Sequence, residues 1–146
     1  MAAAVSRALA GLECLSGIPG SAGGTPVQNV GAYGQEVAQT IAEVTALDRQ
    51  SGDVVTLGGG ECRFGYRTSR FRREDADRFV VCEVLFELSP GAPTVAYPDV
   101  LRHLAHLGIV SPALADVRDA VLSVRRRKGM VIDASLPPIV RTPSPA

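Results

Sequence analysis

The stretch "GIPGSAGGTPVQNVGAYG", from Gly17 to Gly34, constrains the fold of this chain more than any other segment. It holds six glycines and two prolines and almost no charge, which suits neither a regular helix nor a regular strand. Closely spaced glycines bring backbone N–H groups near a ligand, where they can form a nest for an anion or a cofactor. Gln28 and Asn29 add amides that can read the edge of a heterocycle. The stretch matches neither common nucleotide-loop motif, and a purely structural loop is the alternative interpretation.

The composition is that of a globular protein without a strong net charge. Of the 146 residues, 46% are apolar and 21% are charged, and the formal net charge is zero. We therefore expect neither a nucleic-acid nor a membrane partner. Three separated cysteines without a CxxC pair indicate free thiols in a reducing cytoplasm. His103 and His106 lack a third ligand, so no metal site is predicted.

The first part of the chain predicts one helix and a small antiparallel sheet. A helix is expected over Ala2–Leu15, ending near Gly17. The segment Glu36–Leu47 leads into a strand, "DRQSGD" makes a turn and "VVTL" returns, which together predict a hairpin. Arg78–Leu88, "RFVVCEVLFEL", is the strongest strand pattern in the chain.

The second part predicts two helices after a proline-rich linker. The linker, Ser89–Asp99, is the best candidate for a domain boundary. Asp99 is expected to cap a short helix that ends at Gly108. A second helix is expected to begin near Ser111-Pro112, with Ser111 as its N-cap and Pro112 as its first residue, and to end at Gly129. Its apolar line consists of Leu114, Val117, Val121 and Val124. Residues 134–146 contain four prolines and predict an extended or disordered tail.

Two groups of cations are candidates for anion binding. Arg67, in "CRFGYRTSRF", is expected to be packed and oriented, and a fixed guanidinium suits a carboxylate or a developing enolate. Lys128 continues the apolar line of the second helix, so its ammonium should point toward the protein, and Arg125 lies one turn before it. The neighbouring arginines are expected to face water: Arg70, Arg72, Arg73, Arg126 and Arg127.

Three motifs together resemble the UDP-N-acetylenolpyruvoylglucosamine reductase family, also called UDP-N-acetylmuramate dehydrogenases. They are "GLECLSGIPGSAGGTPVQNVGAYGQEV", "ECRFGYRTSRF" and "VRRRKGMVID". The match covers residues 8–133, with the motifs in the family's order, and the residues within the motifs resemble those of the actinobacterial branch. The resemblance implies a cytoplasmic oxidoreductase of peptidoglycan synthesis, and hence of cell-wall biogenesis, cell shape and cell division.

The resemblance also implies the reaction and the fold. In the family, NADPH reduces a bound FAD, which then reduces UDP-N-acetylglucosamine enolpyruvate to UDP-N-acetylmuramate. The implied fold class is α+β. Residues 1–90 would form the second half of a two-part FAD-binding domain of the vanillyl-alcohol-oxidase-like, PCMH type, and residues 91–133 the start of a substrate-binding domain. The implied partner is the small UDP-sugar, and the oligomeric state is left open.

Site residues follow by position from the same resemblance. It implies that Arg67 is catalytic and stabilises an enolate-like intermediate. It also implies that Tyr97, Arg125 and Lys128 bind the substrate, with Lys128 at the diphosphate. The implied cofactor-facing residues are Ile18, Pro19, Gly20, Ser21, Gly24, Gln28, Asn29, Gly31, Ala32, Tyr33 and Gly34.

The sequence departs from the family pattern at both ends. The pattern has about a hundred preceding residues, including a glycine-rich loop for the FAD diphosphate. It also has a later Gly-Ser-x-Phe segment with a proton-donating serine, and a catalytic glutamate. Ser135 and Ser144 lack that motif, so neither receives a role. We expect a middle segment of an enzyme with little activity alone. The alternatives are a non-catalytic remnant that binds flavin or UDP-sugar and, against the "YRTS" and "RRRKGM" motifs, another flavoprotein of the same fold.

Overall fold

The computed structural model describes residues 1–132, and the predicted tail over 134–146 lies outside the described residues. The fold mixes helix and sheet. Strand β4 (Ile41–Asp48) is central in a three-stranded antiparallel sheet, between β5 (Val54–Gly58) and β6 (Phe79–Phe86). Val44 of β4 lies opposite Leu57 on one side and Val84 on the other. The predicted hairpin and the predicted strand over 78–88 are both confirmed.

The predicted helix over residues 2–15 is wrong beyond its first turns. Helix α1 covers only Ala2–Ser6, and strand β1 (Leu9–Ala10) follows and pairs with β7 (Ser89–Pro90). A 3₁₀ turn then covers Glu13–Leu15. The helix ends because the chain reverses through positive φ angles, 57° at Ala8 and 111° at Gly11, which an α-helix does not contain.

The glycine-rich stretch forms turns, as its composition predicted, and it also contributes a strand to a small hairpin that was not predicted. A 3₁₀ turn covers Ala22–Gly24, and strand β2 (Gly31–Ala32) pairs with β3 (Gln35–Glu36). The two residues between these strands, Tyr33 and Gly34, both have positive φ, at 52° and 90°. Positive φ at both turn positions is the geometry that joins short antiparallel strands with the correct twist.

The two predicted helices are present with shifted starts. Helix α2 covers Pro98–His106 and begins after Tyr97, so Asp99 lies in the first turn and does not cap it. Helix α3 covers Leu114–Arg127 and begins after Ala113, two residues later than predicted. The Asp116 carboxylate sets that start, because it accepts the Ala113 N–H at 2.8 Å.

Two hydrophobic cores meet at the 3₁₀ turn near the N-terminus. Leu15 belongs to the sheet core, with Val37 and Val44, whereas its neighbour Cys14 belongs to a helix core. The remaining buried members of the helix core are Val100, Leu104, Val117, Ala120 and Val121. Burial and the nearby Glu13 carboxylate raise the pKa of the Cys14 thiol to about 12.

No helix within residues 1–132 combines the length and the apolar character that a membrane span requires. A domain division near residue 90 stays a prediction.

Candidate functional site

A cavity of about 430 Å³ lies against the glycine-rich stretch, and we call it the loop cavity. Six of its thirteen lining residues are among those predicted to face a cofactor. These are Ile18, Pro19, Gly20, Ser21, Gly24 and Gln28. Apolar side chains such as Leu12, Val37 and Phe86 complete the wall. A concave, mostly apolar surface with a few polar groups is typical of sites that hold a flat organic ligand.

A second cavity, of about 360 Å³, adjoins the loop cavity, and we call it the arginine cavity. The two cavities share Ile18, Gln28 and Val30 in their linings. The guanidinium groups of Arg67 and Arg125 complete the arginine cavity, with Gly31 and Ala32 of β2. A ligand that lies in the loop cavity could therefore extend an anionic group toward two arginines.

Arg67 is held by its own loop rather than by an acidic partner. Its φ is 54°, and its guanidinium lies 5.5 Å from the centre of the Tyr66 ring. A Cβ added at Gly31 would come within 2.8 Å of Arg67 Nη1, so this strand position leaves room for the arginine only as glycine. No ion pair among residues 1–132 includes Arg67. Its positive charge is thus available to a ligand.

Arg125 is the more unusual of the two arginines because it is buried. It is only 8% exposed, and its Nη2 donates to the carbonyl oxygen of Met130 at 3.2 Å. Its Nε has no partner among the described residues, and no ion pair there neutralises its charge. A buried cation without an anion costs several kcal/mol. An anionic ligand in the arginine cavity would offset that cost.

Lys128 lies in a different environment, which we call the helix cavity, about 310 Å³ between α2 and α3. Its side chain is 41% exposed, so the predicted inward direction is only partly right. The Asp99 carboxylate accepts hydrogen bonds from the Lys128 ammonium and the Arg102 guanidinium. These bonds raise the pKa of Lys128 and lower the pKa of Asp99.

Tyr33 and Tyr97 form an edge-to-face pair beside this lysine. Their ring centres are 5.1 Å apart and the ring planes are nearly perpendicular. Tyr97 immediately precedes α2, so its ring stands where the linker enters the helix that carries Asp99. The tyrosine predicted to face the cofactor and the one predicted to face the substrate are therefore in contact.

Asn29 lies apart from both cavities and is engaged within the protein. It is 1% exposed; its Nδ2 donates to Glu36 and to the Gly65 carbonyl oxygen, and its Oδ1 accepts from Ala38. Asn29 thereby ties the glycine-rich stretch to the loop that carries Arg67. Its predicted contact with a cofactor stays a prediction, as does that of Gly34.

The sequence analysis missed one buried polar group beside this site. Glu13 was predicted within a helix but is fully buried and bonded to three N–H groups. The sequence signal was that Gly11 and Gly17 flank the segment with Glu13, which indicates that the helix does not continue through it. Within residues 1–132 no group of three or more His, Cys, Asp or Glu side chains is placed to hold a metal ion.

Comparison with known proteins gives consistent relatives. The chain is 49% identical over 139 residues to the UDP-N-acetylenolpyruvoylglucosamine reductase of Thermobifida fusca, covering 94% of this chain and 38% of that protein. The reductase of the same name from Streptomyces coelicolor is 49% identical, covering 91% and 35%. That of Mycobacterium tuberculosis is 51% identical, covering 89% and 36%. The chain thus spans little more than a third of the length of these relatives, and no family model matches it.

A solved structure supports the fold. The crystal structure of the UDP-N-acetylenolpyruvylglucosamine reductase of Thermus caldophilus aligns with a TM-score of 0.57 and 23% identity. The alignment covers 88% of this chain and 38% of the other, and at that identity it bears on the fold alone. Along nearly its whole length, the chain is related to one segment of the UDP-N-acetylenolpyruvoylglucosamine reductases, the family that its motifs predicted.

Proposed function

We propose that this chain provides flavin-facing and substrate-facing surfaces of a UDP-N-acetylenolpyruvoylglucosamine reductase. The reaction would reduce UDP-N-acetylglucosamine enolpyruvate to UDP-N-acetylmuramate with NADPH and FAD, in the cytoplasm, during peptidoglycan synthesis. Residues 1–90 would belong to the second half of a PCMH-type FAD-binding domain, and residues 91–133 would begin the substrate-binding domain. The observation that carries the proposal is the arginine cavity, where two guanidinium groups lack carboxylate partners within residues 1–132.

The chemistry of the two adjoining cavities supports the proposed cofactor. The loop cavity offers the apolar wall that a flat ring system needs, and Gln28 offers an exposed amide to its polar edge. Ile18 and Val30 would pack against the ring where the two cavities meet. When bound, FAD supplies the hydride that the reaction requires.

Arg67 would act on the substrate's charge. Hydride addition to the CH₂ carbon of the enolpyruvyl group makes it a methyl group and places negative charge on the adjoining carbon and its carboxylate, and a proton taken up at that adjoining carbon completes the reduction. A guanidinium already fixed next to that carboxylate stabilises the charge as it develops. Gly31 leaves the space that lets Arg67 Nη1 reach the cavity. Arg125, which lines the same cavity, would supply the second positive charge.

Lys128 and Tyr97 would hold the more distant part of the substrate. A lysine is charged at neutral pH at its ordinary pKa of 10.5, and the hydrogen bond to Asp99 raises the pKa of Lys128 further, so the ammonium can pair with a diphosphate. The ammonium of Lys128 already donates a hydrogen bond to the Asp99 carboxylate. A diphosphate would therefore either share the ammonium with Asp99 or displace the carboxylate. Tyr97 is 42% exposed and can contact a ligand from the start of α2.

A comparison of two UDP-sugars, one with and one without a carboxylate, tests the proposal. UDP-N-acetylmuramate carries the carboxylate on a lactyl ether group that UDP-N-acetylglucosamine lacks. Calorimetric titration of both into the FAD-loaded chain therefore measures the contribution of the lactyl group, and the arginine variant below tests how much of it is due to the carboxylate. We expect the muramate to bind about tenfold or more tightly, since a charged hydrogen bond contributes about 1.5–3 kcal/mol. FAD retention is followed by the flavin band at about 450 nm. NADPH consumption with the enolpyruvyl substrate distinguishes turnover from binding alone.

Two variants make the test specific. Arg67→Met should weaken the preference for the muramate, because it removes one of the two guanidinium groups of the arginine cavity and keeps an apolar stem. Arg73→Met is the matched control, since Arg73 is exposed in the same loop and takes part in no ion pair of the described chain. Equal affinities for the two UDP-sugars in the unaltered, FAD-loaded chain would contradict the proposal.

A further inference from the structure

Glu13 is a fully buried carboxylate with no cationic partner in the described chain. Its exposed fraction is 0%, and none of the ion pairs within residues 1–132 includes it. Burying a carboxylate costs several kcal/mol unless other groups satisfy it. Three N–H groups do so here, and all three come from segments that border the candidate site. We propose that Glu13 is a positioning residue that holds Tyr33 and Tyr97 in contact.

One oxygen of Glu13 joins two distant segments. Oε1 accepts from Gln35 Nε2 at 2.7 Å and from the Thr94 N–H at 2.9 Å, while Oε2 accepts from the Gly11 N–H at 2.8 Å. The next residue reinforces both links. The Cys14 N–H donates to Gln35 Oε1 at 2.8 Å, and the Cys14 thiol donates to the Thr94 carbonyl oxygen at 3.3 Å.

These two segments carry the tyrosines. Gln35 follows Tyr33 by two residues, directly after the positive-φ turn, and Thr94 precedes Tyr97 by three residues. The linker that carries Thr94 has no regular structure between β7 and α2, so no ladder of backbone hydrogen bonds sets its position. The Glu13 and Cys14 bonds to Thr94, together with the packing of Val95 on the helix core, therefore set how far the linker lies from the turn. That distance sets the 5.1 Å separation of the tyrosine rings.

A carboxylate suits this role because it accepts hydrogen bonds at both oxygens and donates none when ionised. A glutamine of the same shape has one acceptor oxygen and an NH₂ group. The NH₂ group would oppose either the Gly11 N–H or the donors from Gln35 and Thr94. An N–H group left unpaired in a buried place is costly, so the linker would separate from the turn.

The inference rests on the proposed function only in assigning Tyr97 to the substrate, so its test reads ring geometry and not ligand binding. The full chain is prepared with isotopically labelled tyrosine, and the nuclear Overhauser effect between the Tyr33 and Tyr97 rings is recorded. We expect this signal in the unaltered chain and its loss in Glu13→Gln, with the chain still folded. Glu83→Gln, which removes an exposed carboxylate on β6, should retain the signal. Failure of UDP-sugar binding with these signals intact would contradict the proposed function alone.

A second measurement needs no variant. Amide hydrogen exchange of the unaltered chain should show the Thr94 N–H protected at least about 100-fold, although it lies in an irregular linker. Exchange of Thr94 at the rate of an open chain would overturn the proposal, whether or not Glu13→Gln folds. A ring–ring signal that persists in folded Glu13→Gln would also overturn it, because Glu13 would then contribute to stability without setting the tyrosine geometry.

Discussion

The arginine cavity and the helix cavity lie near the same end of α3, yet they treat positive charge in opposite ways. In the arginine cavity, Arg125 is buried and has no acidic partner in the described chain. In the helix cavity, three residues further on, Lys128 is half-exposed and bonded to Asp99. At Arg125 the free-energy cost of burying the charge is large, and the charge is free to bind a ligand. At Lys128 that cost is small, and Asp99 already pairs the charge. The comparison indicates that the uncompensated charge of Arg125 favours an anionic group more strongly than the cations of the helix cavity, which Asp99 already pairs.

The largest expected effect comes from removing the buried charge. Arg125→Met should weaken binding of UDP-N-acetylmuramate about 10- to 100-fold, the value of a charged hydrogen bond. It should also raise the free energy of unfolding of the ligand-free chain, because the uncompensated buried charge is gone. Calorimetric titration and urea unfolding measure the two effects. Arg126→Met, exposed on the next position of α3, is the control, and a loss of ligand-free stability in Arg125→Met would break the comparison.

A steric change in the same cavity should act next most strongly. In Gly31→Ala the new methyl would lie 2.8 Å from Arg67 Nη1 and from the Gln35 carbonyl oxygen. The backbone must shift, at a cost of about 1–3 kcal/mol, and Arg67 must leave its position. We expect muramate affinity to fall about tenfold with the charge of Arg67 intact. Gly60→Ala, where an added Cβ meets nothing within 4 Å, should leave the affinity unchanged.

Removing the Asp99 carboxylate, which pairs with Lys128 and Arg102, should lower the stability only slightly, and the loss should depend on pH. The pKa of Asp99 is held below its ordinary value of 3.8 by Lys128 and Arg102, so the bonds contribute stability above that value and lose it as the pH falls. In Asp99→Asn this acid-dependent part should be absent, and the unfolding midpoints of the two chains should converge on acidification. The same change should lower the pKa of Lys128, which amine acylation followed by mass spectrometry would report as faster labelling.

The smallest expected effect concerns salt. Exposed charges are screened over about 3 Å at 1 M ionic strength and over about 10 Å at 0.1 M, whereas buried ones are screened much less. Added salt should therefore abolish the effect of Asp99→Asn on stability while leaving most of the effect of Arg125→Met. Urea unfolding of both variants at both ionic strengths tests this. Equal salt sensitivity of the two stability effects would show that the two cavities do not differ in burial.

Local patterns predicted much of this fold. The strand β6 and the hairpin of β4 and β5 follow from β-branched runs separated by turn residues, information that lies within a few positions. The buried line of α3 follows from its spacing. The burial of Arg125 could not be predicted in this way, because it depends on the distant glycine-rich stretch, where a Cβ added at Gly17 would lie 3.4 Å from Arg125 Nε.

Two errors have the same physical origin. Glu13 suited a helix by its local sequence, but its partners Gln35 and Thr94 lie 22 and 81 positions away. Lys128 continued the apolar line of α3, but the helix ends at Arg127 and Gly129 turns the chain with a φ of 65°. In both places, long-range hydrogen bonds or a chain reversal override the local periodicity.

The adjacency of Cys14 and Leu15 has a consequence for how the chain unfolds. One peptide bond joins a residue of the helix core to a residue of the sheet core, and both side chains are essentially unexposed. Displacing α3 would pull the turn that carries them, and the sheet would lose a packing partner at once. The two layers should therefore open as one cooperative unit, with similar exchange protection in α3 and β4, rather than melting in sequence.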